Sequence, residues 1–156
     1  MKIIIPGGNG QVGRMLSRAF LNGGDECVIL TRKPSSRAST GPESRLREVA
    51  WDGRTIGPWA AELEGADVVI NLAGRSVNCR YHERNLTEMM NSRVDSTRVI
   101  GAAIAAVTRP PHVWMQASTA TIYAHRFDAP NDEYTGILGG SEPHAPDTWR
   151  FSIDVA

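Results

Sequence analysis

The sequence is poor in cysteine, in net charge and in long apolar runs, and each shortage closes off a class of protein. Cys27 and Cys79 are its only cysteines, too few for a disulfide framework or a four-ligand zinc site, and they fit a reduced, cytoplasmic setting. His82 and His144 stand alone in the sequence, so no metal site is expected. Seventeen basic residues balance seventeen acidic ones, which leaves no overall electrostatic footprint for nucleic acid or for an anionic membrane surface. Any anion-binding site must therefore be local. The apolar opening at residues 2–6 is too short for a signal peptide or a membrane span and runs straight into glycines, so it reads as a buried first strand. No internal repeat is visible.

What is present is a chain of 156 residues, 41% hydrophobic and 22% charged, enough for one compact domain with a core. Short apolar runs bounded by turn residues recur at 2–6, 26–31, 47–51, 67–72 and 112–117, as expected of strands buried on both faces. Between the first two runs, residues 11–21 set Val12, Met15, Leu16 and Phe20 at helical spacing, and Gly23-Gly24 stops the helix. A second helix is expected within 59–64. A longer one runs from about 86 to 107, with Met89, Val94, Val99 and Ala103 inward. Residues 35–44 read as a surface loop and 124–146 as a long loop, with Asp147 capping a last helix that opens at Thr148. Strands alternating with helices imply an α/β fold, a doubly wound parallel sheet of about five strands in the order 3-2-1-4-5.

The motif carrying the most chemistry is Pro6-Gly7-Gly8-Asn9-Gly10-Gln11-Val12-Gly13, a G-x-x-G-x-x-G spacing between a strand and a helix. Gly7 permits the tight turn, Gly10 lets a pyrophosphate approach the backbone, and Gly13 allows close packing of helix on strand. Gln11 and Val12 open the helix, whose N–H groups and dipole favour phosphate. These residues are the expected dinucleotide cradle. The second strand ends at Leu30-Thr31-Arg32-Lys33, without the carboxylate that an NAD-preferring site uses on the ribose hydroxyls. Arg32 and Lys33 offer cations for a 2′-phosphate, and Arg32 adds a flat guanidinium for adenine, which favours NADP with NAD possible. A solvated basic turn is the alternative. Asp52 in Trp51-Asp52-Gly53 reads equally as a partner for the adenine amino group or as a plain turn. Leu72, Ala73 and Gly74 would let the chain pass beneath the cofactor's ribose and nicotinamide side. Arg80 and Arg93 are anion-site or surface arginines with equal claim.

Taken together, the glycine pattern, Leu30-Thr31-Arg32, Asn71-Leu72-Ala73-Gly74, Ser92-Arg93 with Thr97-Arg98, and Ser118-Thr119-Ala120-Thr121-Ile122-Tyr123 carry a family likeness. The chain resembles the extended short-chain dehydrogenase/reductase superfamily, and within it the NAD(P)-dependent, nucleoside-diphosphate-sugar-epimerase-like epimerase family proteins. The resemblance implies a Rossmann-type NADP-binding domain over residues 1–156. It also implies an oxidoreductase acting on a sugar nucleotide or another small carbonyl or alcohol. Members are longer, with a C-terminal substrate-binding part, so the expected domain is the N-terminal portion of such a protein. A strand five left as an open edge would then favour homo-oligomers.

The resemblance places a substrate-orienting hydroxyl at Ser118 or Thr119. Where members carry a Tyr-x-x-x-Lys acid/base pair, this sequence has Phe151 and Val155. Tyr123 is the candidate substitute, lying beyond strand five at the carboxyl edge of the sheet, although an aromatic residue closing the core is an equal reading. His125 and Glu133 are ordinary loop residues or face substrate. A cofactor-binding regulatory module, or an inactive fragment, stands as the alternative to an enzyme.

Overall fold

A computed structural model describes residues 1–35, 44–139 and 147–156, the side chains of 147–149 excepted. The chain divides into two compact units, Met1–Ala117 and Ser118–Ala156.

The first unit is a five-stranded, wholly parallel sheet in the order β3-β2-β1-β4-β5, as expected. The strands are β1 (Lys2–Pro6), β2 (Glu26–Thr31), β3 (Leu46–Ala50), β4 (Val68–Asn71) and β5 (Val113–Gln116). β1 and β2 read as continuous apolar runs because both of their faces are covered. Ile3, Ile5, Ile29 and Ile70 pack with Leu16 and Phe20 of helix α1 (Gln11–Asn22) on one side. Ile4, Val28, Leu30 and Val69 pack with Val99, Ile100 and Ala103 of helix α2 (Glu83–Ala106) and with Trp51, Trp59 and Leu63 on the other. Burying an isoleucine or leucine in this way is worth about 1.5–3 kcal/mol, so the central strands anchor the unit. Among the described residues no helix is long and apolar enough to cross a membrane.

Several expectations shift. All four residues of β5 are exposed, and β3 is only partly buried, because both strands lie at the sheet's margins rather than between layers. In α1 the buried residues are Gly13, Ser17 and Leu21, while Val12 and Met15 are 57% and 68% exposed. The helix turns Leu16 and Phe20 toward the sheet and buries Leu21, and the small residues Gly13 and Ser17 are buried nearer its start. The Ser17 hydroxyl donates to the Gly13 carbonyl at 2.7 Å, which lets a polar residue be buried. The segment expected as a helix at 59–64 is a 3₁₀ helix over Pro58–Leu63. Pro58 starts it, and Gly65, at φ +66, follows close behind. α2 begins three residues earlier than read, and besides Met89, Val99 and Ala103 it buries Asn85, Ser96 and Ile100, while Val94 is only half-buried.

The second unit holds a 3₁₀ turn (Ala120–Ile122) and helix α3 (Asp147–Val155), which includes the residue expected as its cap. The segment after Tyr123 is not a structureless loop. Tyr123 and Leu138 form an antiparallel bridge, Ala124 N–H donates to Ile137 at 2.7 Å and Gly139 N–H to Ile122 at 2.8 Å. Asp132 closes the turn between them by accepting from the Tyr134 and Thr135 N–H groups. Residues 36–43, most of the expected 35–44 loop, and residues 140–146, including His144, lie outside the described residues.

Candidate dinucleotide site

The carboxyl ends of β1, β2, β3 and β4 open onto one cleft of about 720 Å³. Its floor is the turn after β1. Gly7 has φ +74, and a Cβ there would stand 2.8 Å from the Ala73 backbone, so this turn needs glycine for its conformation and for its closeness to the chain leaving β4. Gly8 and Gly13 meet face to face: a Cβ on Gly13 would lie 2.3 Å from the Gly8 carbonyl oxygen. Gly13 therefore lets the helix close on the turn itself, a correction to the expected packing against a strand. Gly8, to which the sequence reading gave no task, is the other half of the contact.

Gly10 behaves differently. Among the described residues a Cβ on it would meet only the Gly7 carbonyl, at 3.6 Å, so none of them demands glycine there, and Gly10 lines the cleft. It caps α1 without a side-chain acceptor, and the first helical turn contains no acidic residue. The N–H groups of Gln11, Val12 and Gly13 at that end lack a side-chain cap, an arrangement suited to a phosphate. Gln11 and Val12 are exposed and Gly13 is buried, and none of the three is part of the cleft wall.

Arg32 lines the cleft and is exposed, with no hydrogen bond or ion pair among the described residues. Next to it, Asn9 donates to the Thr31 hydroxyl at 3.1 Å, tying the glycine turn to the tip of β2. The turn expected at Asp52 is present. Asp52 lines the cleft, and it organises a turn in which Oδ1 accepts from the Arg54 and Thr55 N–H groups at 2.8 and 2.9 Å and Oδ2 from the Thr55 hydroxyl at 2.6 Å. The Thr55 hydroxyl first, then the two backbone donors, hold its carboxyl down to about 2.

Leu72, Ala73 and Gly74 form the opposite wall. They are held by Asn71, fully buried, whose amide donates to Gln116 at 2.8 Å and whose Oδ1 accepts from Ala73 N–H at 3.0 Å. Arg93 lies over Gly74, where a Cβ would come within 3.0 Å of its guanidinium carbon, and donates to the Met89 and Arg75 carbonyls. It is thus a structural clamp. Arg80 is exposed, and its carbonyl accepts from Asn85. The reading of the sequence missed Arg75, which lines the cleft and pairs with Glu88 and with Asn85 at 2.8 Å. It missed Arg54, Ser92 and Ser96 as well. Asn71 is a polar residue in an apolar strand and Ser96 sits among polar residues of α2, and such residues announce themselves only once a structure shows what they bond.

In the second unit Ser118 is exposed. The Thr119 hydroxyl accepts from Thr121 N–H at 3.3 Å, capping the 3₁₀ turn. Tyr123 is half-buried, its ring packed over Gly136, where a Cβ would fall 2.6 Å from Cε1. His125 stacks edge-on against Phe127, and Glu133 is exposed. On α3, Phe151 and Val155 are four residues apart, one helical turn.

A parallel sheet with a glycine turn at the first strand–helix junction, and a cleft across the strand ends, defines a Rossmann-type dinucleotide-binding domain. The chain belongs to the NAD dependent epimerase/dehydratase family, whose model matches residues 3–146. It is 27% identical over 136 residues to the epimerase family protein SDR39U1 of Bos taurus, covering 85% of this chain and 42% of that protein. It is 31% identical over 123 residues to the epimerase family protein YfhF of Bacillus subtilis, covering 79% of this chain and 39% of that one. The chain thus spans about two-fifths of the length of these curated relatives. The crystal structure of human epimerase family protein SDR39U1 (isoform 2) with NADPH superposes with a TM-score of 0.75 at 25% identity, over 99% of this chain and 46% of that one. A UDP-glucuronic acid 4-epimerase from Bacillus cereus with NAD bound shares the fold, with a TM-score of 0.69 at 19% identity, over 88% of this chain and 46% of that chain.

Proposed function

We propose that this chain is the NADP(H)-binding portion of an epimerase-family oxidoreductase whose substrate is a sugar nucleotide or another small carbonyl or alcohol. The observation that carries the cofactor choice is the tip of β2. Arg32 faces the cleft unpaired among the described residues, where an NAD-preferring site would present a carboxylate. The human relative's structure with NADPH supports the same choice. Gly7 and Gly10 with the first turn of α1 would hold the pyrophosphate, Asp52 the adenine side, and Leu72, Ala73 and Gly74 the nicotinamide side.

The bound nicotinamide ring supplies or accepts hydride. The chain's own task is then to orient the substrate oxygen and move one proton. Ser118 and Thr119 carry hydroxyls able to orient that oxygen, and Tyr123 carries the phenol proton that Phe151 cannot. A cytoplasmic setting and a homo-oligomer without nucleic-acid or membrane partners belong to the same proposal.

Phe151 and Val155 favour a second reading, a module that binds NADP(H) without turning it over. Incubating the protein with NADPH and a panel of sugar nucleotides and small carbonyls, while following absorbance at the reduced-nicotinamide band, separates the two. Substrate-dependent oxidation supports the enzyme. Tight binding with no oxidation across the panel leaves the binding module.

A further inference from the structure

The cleft presents three arginines, Arg32, Arg54 and Arg75, and they are not equivalent. The Arg75 side chain is spoken for by Glu88 and Asn85, and its main chain is tied at both ends, N–H to the Ser92 hydroxyl at 2.9 Å and carbonyl to Arg93 at 3.1 Å. It is a post in the wall. Arg54 is anchored at the backbone, its N–H on Asp52 Oδ1 at 2.8 Å within a turn that Gly53 closes at φ +76. Its Nε faces Asp95 Oδ2 at 3.4 Å, with the two side chains 63% and 33% exposed. Its Nη groups bond to nothing among the described residues. A single-ended, exposed pair of this kind holds weakly, whereas the open Nη fork matches a phosphate.

Register brings Arg54 to the same end of the cleft as Arg32. Thr31 pairs with Ala50, and Trp51 N–H donates to the Thr31 carbonyl at 3.1 Å, so Arg32 and the 52–55 turn leave neighbouring strand ends side by side. A ribose 2′-phosphate carries a charge of about −1.5 to −2 at neutral pH, more than one guanidinium offsets. Asp52 brings a negative charge to this end, but its two oxygens already accept three hydrogen bonds.

We propose that Arg54 is a second specificity-determining residue for the cofactor's 2′-phosphate, exchanging its Asp95 contact for the phosphate and acting with Arg32. This rests on the NADP(H) reading above. Asp95 parks the side chain beside the cleft while no phosphate is present.

The test is calorimetric titration of the full chain with NADPH and with NADH, for the wild type and for Arg54→Ala, Arg54→Gln, Arg32→Ala and Asp95→Asn, with thermal melts as a fold check. Arg54→Ala and Arg54→Gln should weaken NADPH about tenfold, the scale of one charge-assisted hydrogen bond, and change NADH by less than about twofold. Asp95→Asn should leave NADH alone and tighten NADPH by about twofold. If both Arg54 variants melt like the wild type and keep its NADPH:NADH ratio while Arg32→Ala loses it, the Arg54 proposal is wrong and the cofactor reading stands. An equal loss for both cofactors also overturns it. A wild type without NADPH preference sinks the cofactor reading and this proposal together.

Discussion

The glycine turn at Gly7–Gly13 and the segment Ser118–Tyr123 both follow a strand of the same parallel sheet, yet they are built on different principles. The turn works through its backbone. Two of its glycines are dictated by contacts the chain makes with its own backbone, Gly7 against Ala73 and Gly13 on Gly8. In Ser118–Tyr123 the main chain makes an ordinary capped 3₁₀ turn, and everything specific lies in a hydroxyl or a phenol. On the proposed function, the cradle for the cofactor rests on backbone fit, and any proton transfer rests on replaceable side chains.

That contrast is open to four substitutions or titrations, taken here from the largest expected effect. Tyr123→Phe keeps the ring against Gly136 and removes only the phenol. In the proposed enzyme, kcat should fall by about 10²–10⁴ with NADPH affinity unchanged, and a variant of undiminished turnover would remove Tyr123 from the mechanism. Gly13→Val drives side-chain carbons into the Gly8 backbone, which cannot yield as a flexible side chain does. Urea denaturation should show a loss of about 3 kcal/mol together with loss of cofactor binding.

Gly10→Ala sharpens the comparison because the described residues leave room for the added methyl. Its stability should stay within about 0.5 kcal/mol of wild type, while NADPH binding weakens about tenfold through the phosphate's lost approach. Equal and large losses of stability in Gly10→Ala and Gly13→Val would erase the distinction between a glycine kept for the ligand and one kept for the fold. The smallest effect is at Asp52. Its carboxyl is depressed to about 2 by the Thr55 hydroxyl and the backbone donors, so its contribution to the turn is complete above the ordinary carboxylate value of about 4 and is lost as pH falls toward 2. The Arg54 and Thr55 amide resonances should titrate with a midpoint near the lower value, and a midpoint near 4 would show the turn is not held as described.

The same contrast explains how far the sequence alone could be read. β1 and β2 are legible to the residue because strands covered on both faces must be apolar throughout, and the glycine turn is legible because only glycine fits. α1 is legible as a helix but not in its orientation. Val12 and Met15 have the hydrophobic spacing but stay exposed, while Gly13 and Ser17 are buried and Leu16 and Phe20 pack on the sheet. β5 has the apolar composition of a buried strand and lies exposed at the sheet's margin, where the order 3-2-1-4-5 read from the sequence puts it. Asn71 interrupts an apolar strand, whereas Ser96 sits among polar residues of α2 and gives no sign of burial. Their burial makes sense only with the Asn71 bonds to Gln116 and Ala73 in view. For the site, Arg32, Asp52 and Ala73 could be named because they follow strands directly. Arg54 and Arg75 sit further along their turns, where the register of neighbouring strands decides which side chain meets the cleft.

On the proposed function, this cleft selects a phosphorylated nicotinamide dinucleotide through Arg32. Calorimetric titration of the wild-type chain and of Arg32→Ala with NADPH and NADH tests it most directly. The account predicts tighter binding of NADPH by the wild type, with that preference reduced at least tenfold in the variant while NADH binding holds. Equal binding of the two cofactors by the wild type, or a preference that survives in Arg32→Ala, would contradict it.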